Sequence, residues 1–81
     1  MQTNIVVLSI IVEDVNATQK INELLHEYGE YVIGRMGIPY KEKKVNIISV
    51  VMDAPQPVIS ALSGKLGMIN GVKSKVLTTA K

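Results

Sequence analysis

The 81-residue chain predicts an α+β sandwich of β-α-β-β-α-β order, on three observations. Two runs, Ile5 to Val12 (IVVLSIIV) and Val45 to Met52 (VNIISVVM), are largely apolar and β-branched on both alternating faces, the pattern of strands covered on both sides. After each run the apolar residues change to helical spacing and stop near a glycine. A further extended segment follows each helix, so the chain reads as two similar halves.

Taken in order, Ile5 to Val12 is the first strand. From Asn16 the pattern Ala17, Ile21, Leu24, Leu25, Tyr28 is helical, with Asn16 and Gln19 spaced for a capping box and Gly29 placed to end the helix in a left-handed conformation. Tyr31 to Met36 is extended; Gly37 and Pro39 are expected to break it, and YKEKK supplies a polar connection to the strand Val45 to Met52. In DAPQP, Asp53 to Pro57, the prolines lack donors and cannot continue that strand. Pro57 suits the first turn of a second helix, with Gln56 or Asp53 near its cap. Val58, Ile59, Leu62 and Leu66 give that helix one apolar face, and Gly67 closes it. Asn70-Gly71 turns the chain into a last strand, Val72 to Thr78, where Lys73 and Lys75 suit a solvent-facing or edge position.

With right-handed crossovers this order is the ferredoxin-like layout: a four-stranded antiparallel sheet with two helices on one face, expected to form a single domain over residues 1–81. The two helices cover only one side. The first and third strands, expected at the centre of the sheet, carry a second apolar set that includes Ile5, Val7, Ile11, Ile47 and Val51. An apolar sheet face of that extent marks an interface. A homo-oligomer is therefore expected, dimer or tetramer.

Composition removes several functions of this layout. There is no cysteine, which excludes disulfides, thiolate metal sites and cysteine nucleophiles. There is no Phe or Trp, and no aromatic residue on the central strands on which an RNA base could stack. A formal net charge of +2 is far below the dense basic field of nucleic-acid binders. An arginine-bearing phosphate loop after the first strand is ruled out by the acidic EDVN found there. The apolar run Ile5 to Val12 is too short to span a bilayer, has no basic residue ahead of it and leads into Glu13-Asp14, so a soluble cytoplasmic protein is expected.

His26, the one histidine, has Glu23, Glu27 and Glu30 as its nearest carboxylates in sequence, and these read as a polar helix side. No acid/base pair is visibly placed, so an enzyme is not expected. His26 falls one residue off the apolar stripe near the helix end, where a cation is favoured by the dipole; a ligand role is the alternative. Arg35, inside a strand beside Gly34, needs a carboxylate or an anionic ligand if half-buried: Glu30, Glu42, a neighbouring subunit or an effector. SGKLG, Ser63 to Gly67, is not a phosphate loop, because Leu66 stands where Ser or Thr is needed and the segment lies within a helix. Close backbone packing, within the fold or at a subunit contact, is the expected reason for Gly64 in that helix. The lysines of KEKK read as a solvated hairpin tip.

At YGEYVIGRMGIPYKEKKVNIISVVMDAP, followed by ALSGKLGMINGVKSK, the chain resembles the iron-only hydrogenase system regulator family over nearly its whole length. More distantly it is similar to the C-terminal effector domain of the nickel-responsive repressor, an ACT-like ferredoxin fold whose subunits form tetramers. The resemblance implies an ACT-like regulatory domain. In the repressor, nickel is held by a helix histidine, a His-x-His pair and a cysteine; here His26 matches the first, while Gly37, Pro39 and Val45 stand at the other three. One ligand of four does not hold the ion, so no metal and no cofactor are expected. No DNA-binding arm precedes Ile5, so no direct nucleic-acid contact is expected and regulation of transcription would run through a partner.

The function read from this is a non-enzymatic, homo-oligomeric regulatory domain that binds a small effector or a protein partner at a subunit interface. The residues expected to carry it are Arg35, Gly34, Gly37 and Tyr40, then His26, with GRMGIPYKEKK as a candidate wall of an effector pocket. The alternative is a structural or assembly subunit that docks a larger protein through the open sheet face.

Overall fold

A computed structural model describes residues 2–79. The elements are β1 (Asn4–Val12), α1 (Thr18–Glu27), β2 (Val32–Tyr40), β3 (Val45–Ala54), α2 (Gln56–Gly67) and β4 (Val72–Thr78), with short 3-10 turns at Val15–Ala17, Gly29–Tyr31 and Lys41–Lys43. The four strands form one antiparallel sheet in the order β2-β3-β1-β4. This is the expected ferredoxin-like, ACT-like α+β layout, with β1 and β3 at its centre.

Alternation in the two central strands builds the core. Val6, Leu8, Ile10 and Val12 of β1, and Ile48, Val50, Met52 and Ala54 of β3, are buried against Ala17, Ile21 and Leu25 at α1 and Ile59, Leu62 and Leu66 of α2. Among the described residues no polar or charged side chain is buried with them. A fully buried aliphatic side chain contributes about 1.5–3 kcal/mol relative to exposure, so these residues dominate the stability of so short a chain. No described helix is long and apolar enough to cross a membrane.

Several local expectations are corrected. Gly37 and Pro39 do not end the second strand; β2 runs through both to Tyr40. An edge strand tolerates proline because its missing N–H need not serve a neighbour. The hairpin to β3 then closes through Lys44, which takes the left-handed conformation at φ 55°.

Asn16 and Gln19 form no capping box. The chain enters α1 through the Val15–Ala17 turn, so the capping oxygen lies further upstream: Asp14 Oδ1 accepts from the Asn16 N–H at 2.9 Å. Gly29 is not left-handed, since Gly71 is the one described glycine with positive φ, whereas Gly67 ends α2 as expected. Right-handed turns satisfy the late carbonyls of both helices instead: Tyr28 N–H donates to Leu24 and Met68 N–H to Lys65. Pro55, rather than Gln56 or Asp53, occupies the α2 cap position, and Pro57 lies in the first turn as expected. A Cβ added at Gly64 would meet nothing within 4 Å in the chain, so close backbone packing inside the subunit is not what selects it.

Candidate functional site

Two surfaces stand out, one on each side of the sheet. The first is the face that carries no helix. The register sets Ile38, Ile47, Ile11 and Lys73 side by side across the four strands, then Met36, Ser49, Ser9 and Lys75, then Gly34, Val51, Val7 and Leu77. Ile38, Ile47 and Ile11 are 46%, 39% and 44% exposed, values that leave large aliphatic groups in water at the centre of a sheet. Lysines appear only along β4, where Lys73 lies 3.6 Å from Glu13.

The second surface is a groove of about 230 Å³ between α1 and the helix-facing side of β2. Strand parity decides its floor. Arg35, Gly37 and Pro39 pair with Val50, Ile48 and Asn46 of β3, so they share the face on which the helices pack. α1 does not reach over the edge strand, and all three stay exposed. Thr18 and Asn22, one turn apart on α1, form the wall, and Asn46 and Ile48 complete the lining.

Two hydrogen bonds tie the groove together. Arg35 Nη2 donates to Asn22 Oδ1 at 3.0 Å, and Asn46 Nδ2 donates to Thr18 Oγ1 at 3.3 Å. Arg35 therefore pairs with a neutral amide, not with Glu30 or Glu42 as expected. Glu42 instead accepts from the Tyr40 hydroxyl at 3.1 Å. Because Arg35 is exposed, water already solvates it and no buried carboxylate is required.

Of the residues singled out from the sequence, the structure brings Arg35 and Gly37 together in the groove. His26 lies on the adjoining exposed side of α1, one turn beyond Asn22, and its side chain has no hydrogen-bond or ionic partner among the described residues. Gly34 and Tyr40 belong to the opposite parity of β2, with Tyr40 also lining a hollow of about 330 Å³ with Val12, Val15 and Lys44. Thr18, Asn22 and Asn46 went unnoticed in the sequence. The signal for Asn46 was present: it is a polar residue at the same strand parity as the buried Ile48 and Val50.

On the far side of the helices, Lys65 of α2 reaches Glu27 of α1 at 3.3 Å and sits 5.1 Å from the ring centre of Tyr28. The Tyr28 side chain, and after it the Glu27 carboxylate, raise the Lys65 pKa above its ordinary 10.5 by favouring the ammonium form. Among the described residues no cluster of three or more His, Cys, Asp or Glu could hold a metal ion.

A TM1266-like family model, described as "Iron-only hydrogenase system regulator, putative", matches residues 4–76. The chain belongs to this family. The chain is similar in structure to the uncharacterized protein TM1266 from Thermotoga maritima, at a TM-score of 0.92 and 37% identity, covering 96% of this chain and 99% of that one. It also resembles part of a formyltetrahydrofolate deformylase from Pseudomonas putida KT2440, at a TM-score of 0.65 and 14% identity, over 90% of this chain and 28% of that one. At that identity the likeness shows the ACT-like fold alone. No curated protein matches the chain's sequence.

Proposed function

We propose that this TM1266-like regulator is a non-enzymatic domain that works as a homo-oligomer, joined through the open face of its sheet, and that it binds a small effector or a protein partner at a subunit interface. The observation that carries the reading is the uncovered apolar row Ile38, Ile47 and Ile11 with its apolar neighbours. Four strands about 4.8 Å apart and some seven residues long at about 3.4 Å each give a face of roughly 20 by 24 Å. That footprint, roughly 500 Å² before side-chain relief is counted, matches the size of patches that serve as interaction surfaces on soluble proteins. Two such faces pack about 10 Å apart in sandwiches, burying both apolar sets.

The paired Ser9 and Ser49 lie in the middle of this face. A small molecule that prefers one arrangement of the subunits shifts its population, and regulation needs no more than that.

Native mass spectrometry and light scattering at low micromolar concentration test the proposal. A dimer or tetramer is expected for the natural protein, and Ile47→Lys should yield a folded monomer. A natural protein that is monomeric and well behaved would sink the proposal. A monomer that orders only with a larger protein would replace it with the assembly-subunit reading.

A further inference from the structure

We infer that the α1–β2 groove is a binding site for a small organic carboxylate, with Arg35 as its anchor. The inference rests on the effector reading above for the existence of a small ligand and gives that ligand a chemical class, but it differs in place: the groove lies on the helix side of the sheet, opposite the open face through which the subunits are proposed to join.

Three observations carry it. Arg35 is a cation in a groove whose lining contains no acidic residue: Thr18, Asn22, Gly37, Pro39, Asn46 and Ile48 are its main neighbours. Among the described residues only one guanidinium N–H of Arg35 is engaged, and the acceptor is the neutral Asn22 amide, which directs the guanidinium without cancelling its charge. Gly37, on the floor, meets neither a conformational nor a packing need. Its φ is not positive, and an added Cβ would find nothing within 4 Å. What the missing side chain does provide is open space beside Arg35.

The chemistry of the lining selects the ligand. The remaining guanidinium donors form a planar fork that matches a carboxylate with two parallel hydrogen bonds. Asn22 holds Arg35 through its oxygen, so its own N–H groups are uncommitted. Thr18 accepts from Asn46 through its oxygen, which frees the hydroxyl proton to donate. Donors thus predominate on the α1 side, while Pro39 and Ile48 offer apolar contact for the rest of the molecule. A phosphate dianion fits less well, since a single cation and no glycine-rich turn of N–H groups face the groove. At about 230 Å³ the space is below the range of about 300–1,000 Å³ that drug-sized ligands occupy, which points to a compact acid.

The test is an amide-resolved NMR titration of the full chain with sodium acetate and sodium propionate, run against sodium chloride at matched ionic strength and against inorganic phosphate. Saturable shifts at Thr18, Asn22, Gly37 and Asn46 are expected with either carboxylate, with a dissociation constant on the order of 1 mM. Arg35→Gln should weaken binding at least about tenfold. Gly37→Ala, which fills the floor, should weaken it as well. Both variants should keep the natural spectrum elsewhere.

Chloride shifts equal to those of acetate would overturn the inference, as would undiminished binding by Arg35→Gln or tighter saturation by phosphate. Subunit mass, measured on the same samples, separates this inference from the assembly proposal. An oligomer indifferent to carboxylates loses only the groove; a monomer that binds acetate through Arg35 loses only the assembly.

Discussion

Asn22 of α1 accepts a 3.0 Å hydrogen bond from the Arg35 guanidinium of β2, and this contact joins the first helix to the edge strand of the sheet. Both side chains are exposed, so its part in holding the fold together is small. Its effect is to aim a cation along a groove that has no acid in it.

Asn22→Asp should separate these two roles. The new carboxylate keeps the hydrogen bond and adds charge, so stability should stay within about 1 kcal/mol of the natural protein, as for exposed ion pairs. The groove loses its net positive charge, and acetate binding should fall. Urea unfolding and the carboxylate titration measure the two effects independently.

The two sides of the sheet should answer differently to truncation. Ile10 is fully buried, and Ile10→Ala should destabilise by about 2–5 kcal/mol, a large part of the total of about 5–15 kcal/mol that domains possess. Ile47 is 39% exposed within one subunit, and Ile47→Ala should weaken assembly more than it weakens the subunit. An unfolding midpoint that rises with protein concentration in the natural chain, and less so in Ile47→Ala, is the expected result.

Two glycines make a matched pair. Gly64 lies inside α2 with open space around it, so Gly64→Ala should stabilise by about 0.5–1 kcal/mol through the unfolded state and helix propensity. Gly71 has φ +79°, and a Cβ there would collide with the Asp14 Cβ and come within 3.2 Å of the Asp14 backbone nitrogen. Its carbonyl also accepts from the Glu13 N–H at 2.7 Å, which holds this approach in place. Gly71→Ala should therefore destabilise by more than about 1 kcal/mol. Thermal and urea unfolding check both signs.

The Lys65 clasp between the helices carries a pH signature. Its folded pKa lies above the ordinary 10.5, so whatever it adds is fully present below that value and is lost as pH rises through the folded value. The difference in melting temperature between the natural chain and Lys65→Met should be small, constant from about pH 7 to 9, and vanish in stronger alkali. A difference that instead grew with pH would show that Tyr28 and Glu27 do not favour the ammonium.

Legibility in the sequence followed the range of the forces involved. The core strands could be read because every second residue of IVVLSIIV meets the same face, and burial of that face decides the register. Pro39 was misjudged because proline forbids a central strand but not an edge, and edge position depends on which strands pair. Gly29 was misjudged because a glycine after a helix suggests a left-handed cap, while the backbone turn at Tyr28 did the same work. Arg35 was expected to need a carboxylate or an anionic ligand if half-buried; it is exposed, and its partner Asn22 could not be named from the sequence, because the two are 13 residues apart and on different kinds of element.

By itself the sequence determined the order of elements, the positions that fill the core and the surplus of apolar groups that two helices cannot hide. These follow from periodicity, which is local and repeats along the chain. Which residues face each other across a groove was decided only by the tertiary structure. The sheet order puts β2 at an edge that α1 leaves partly bare, and that gap turns an isolated arginine and a glycine without steric need into neighbouring parts of one surface.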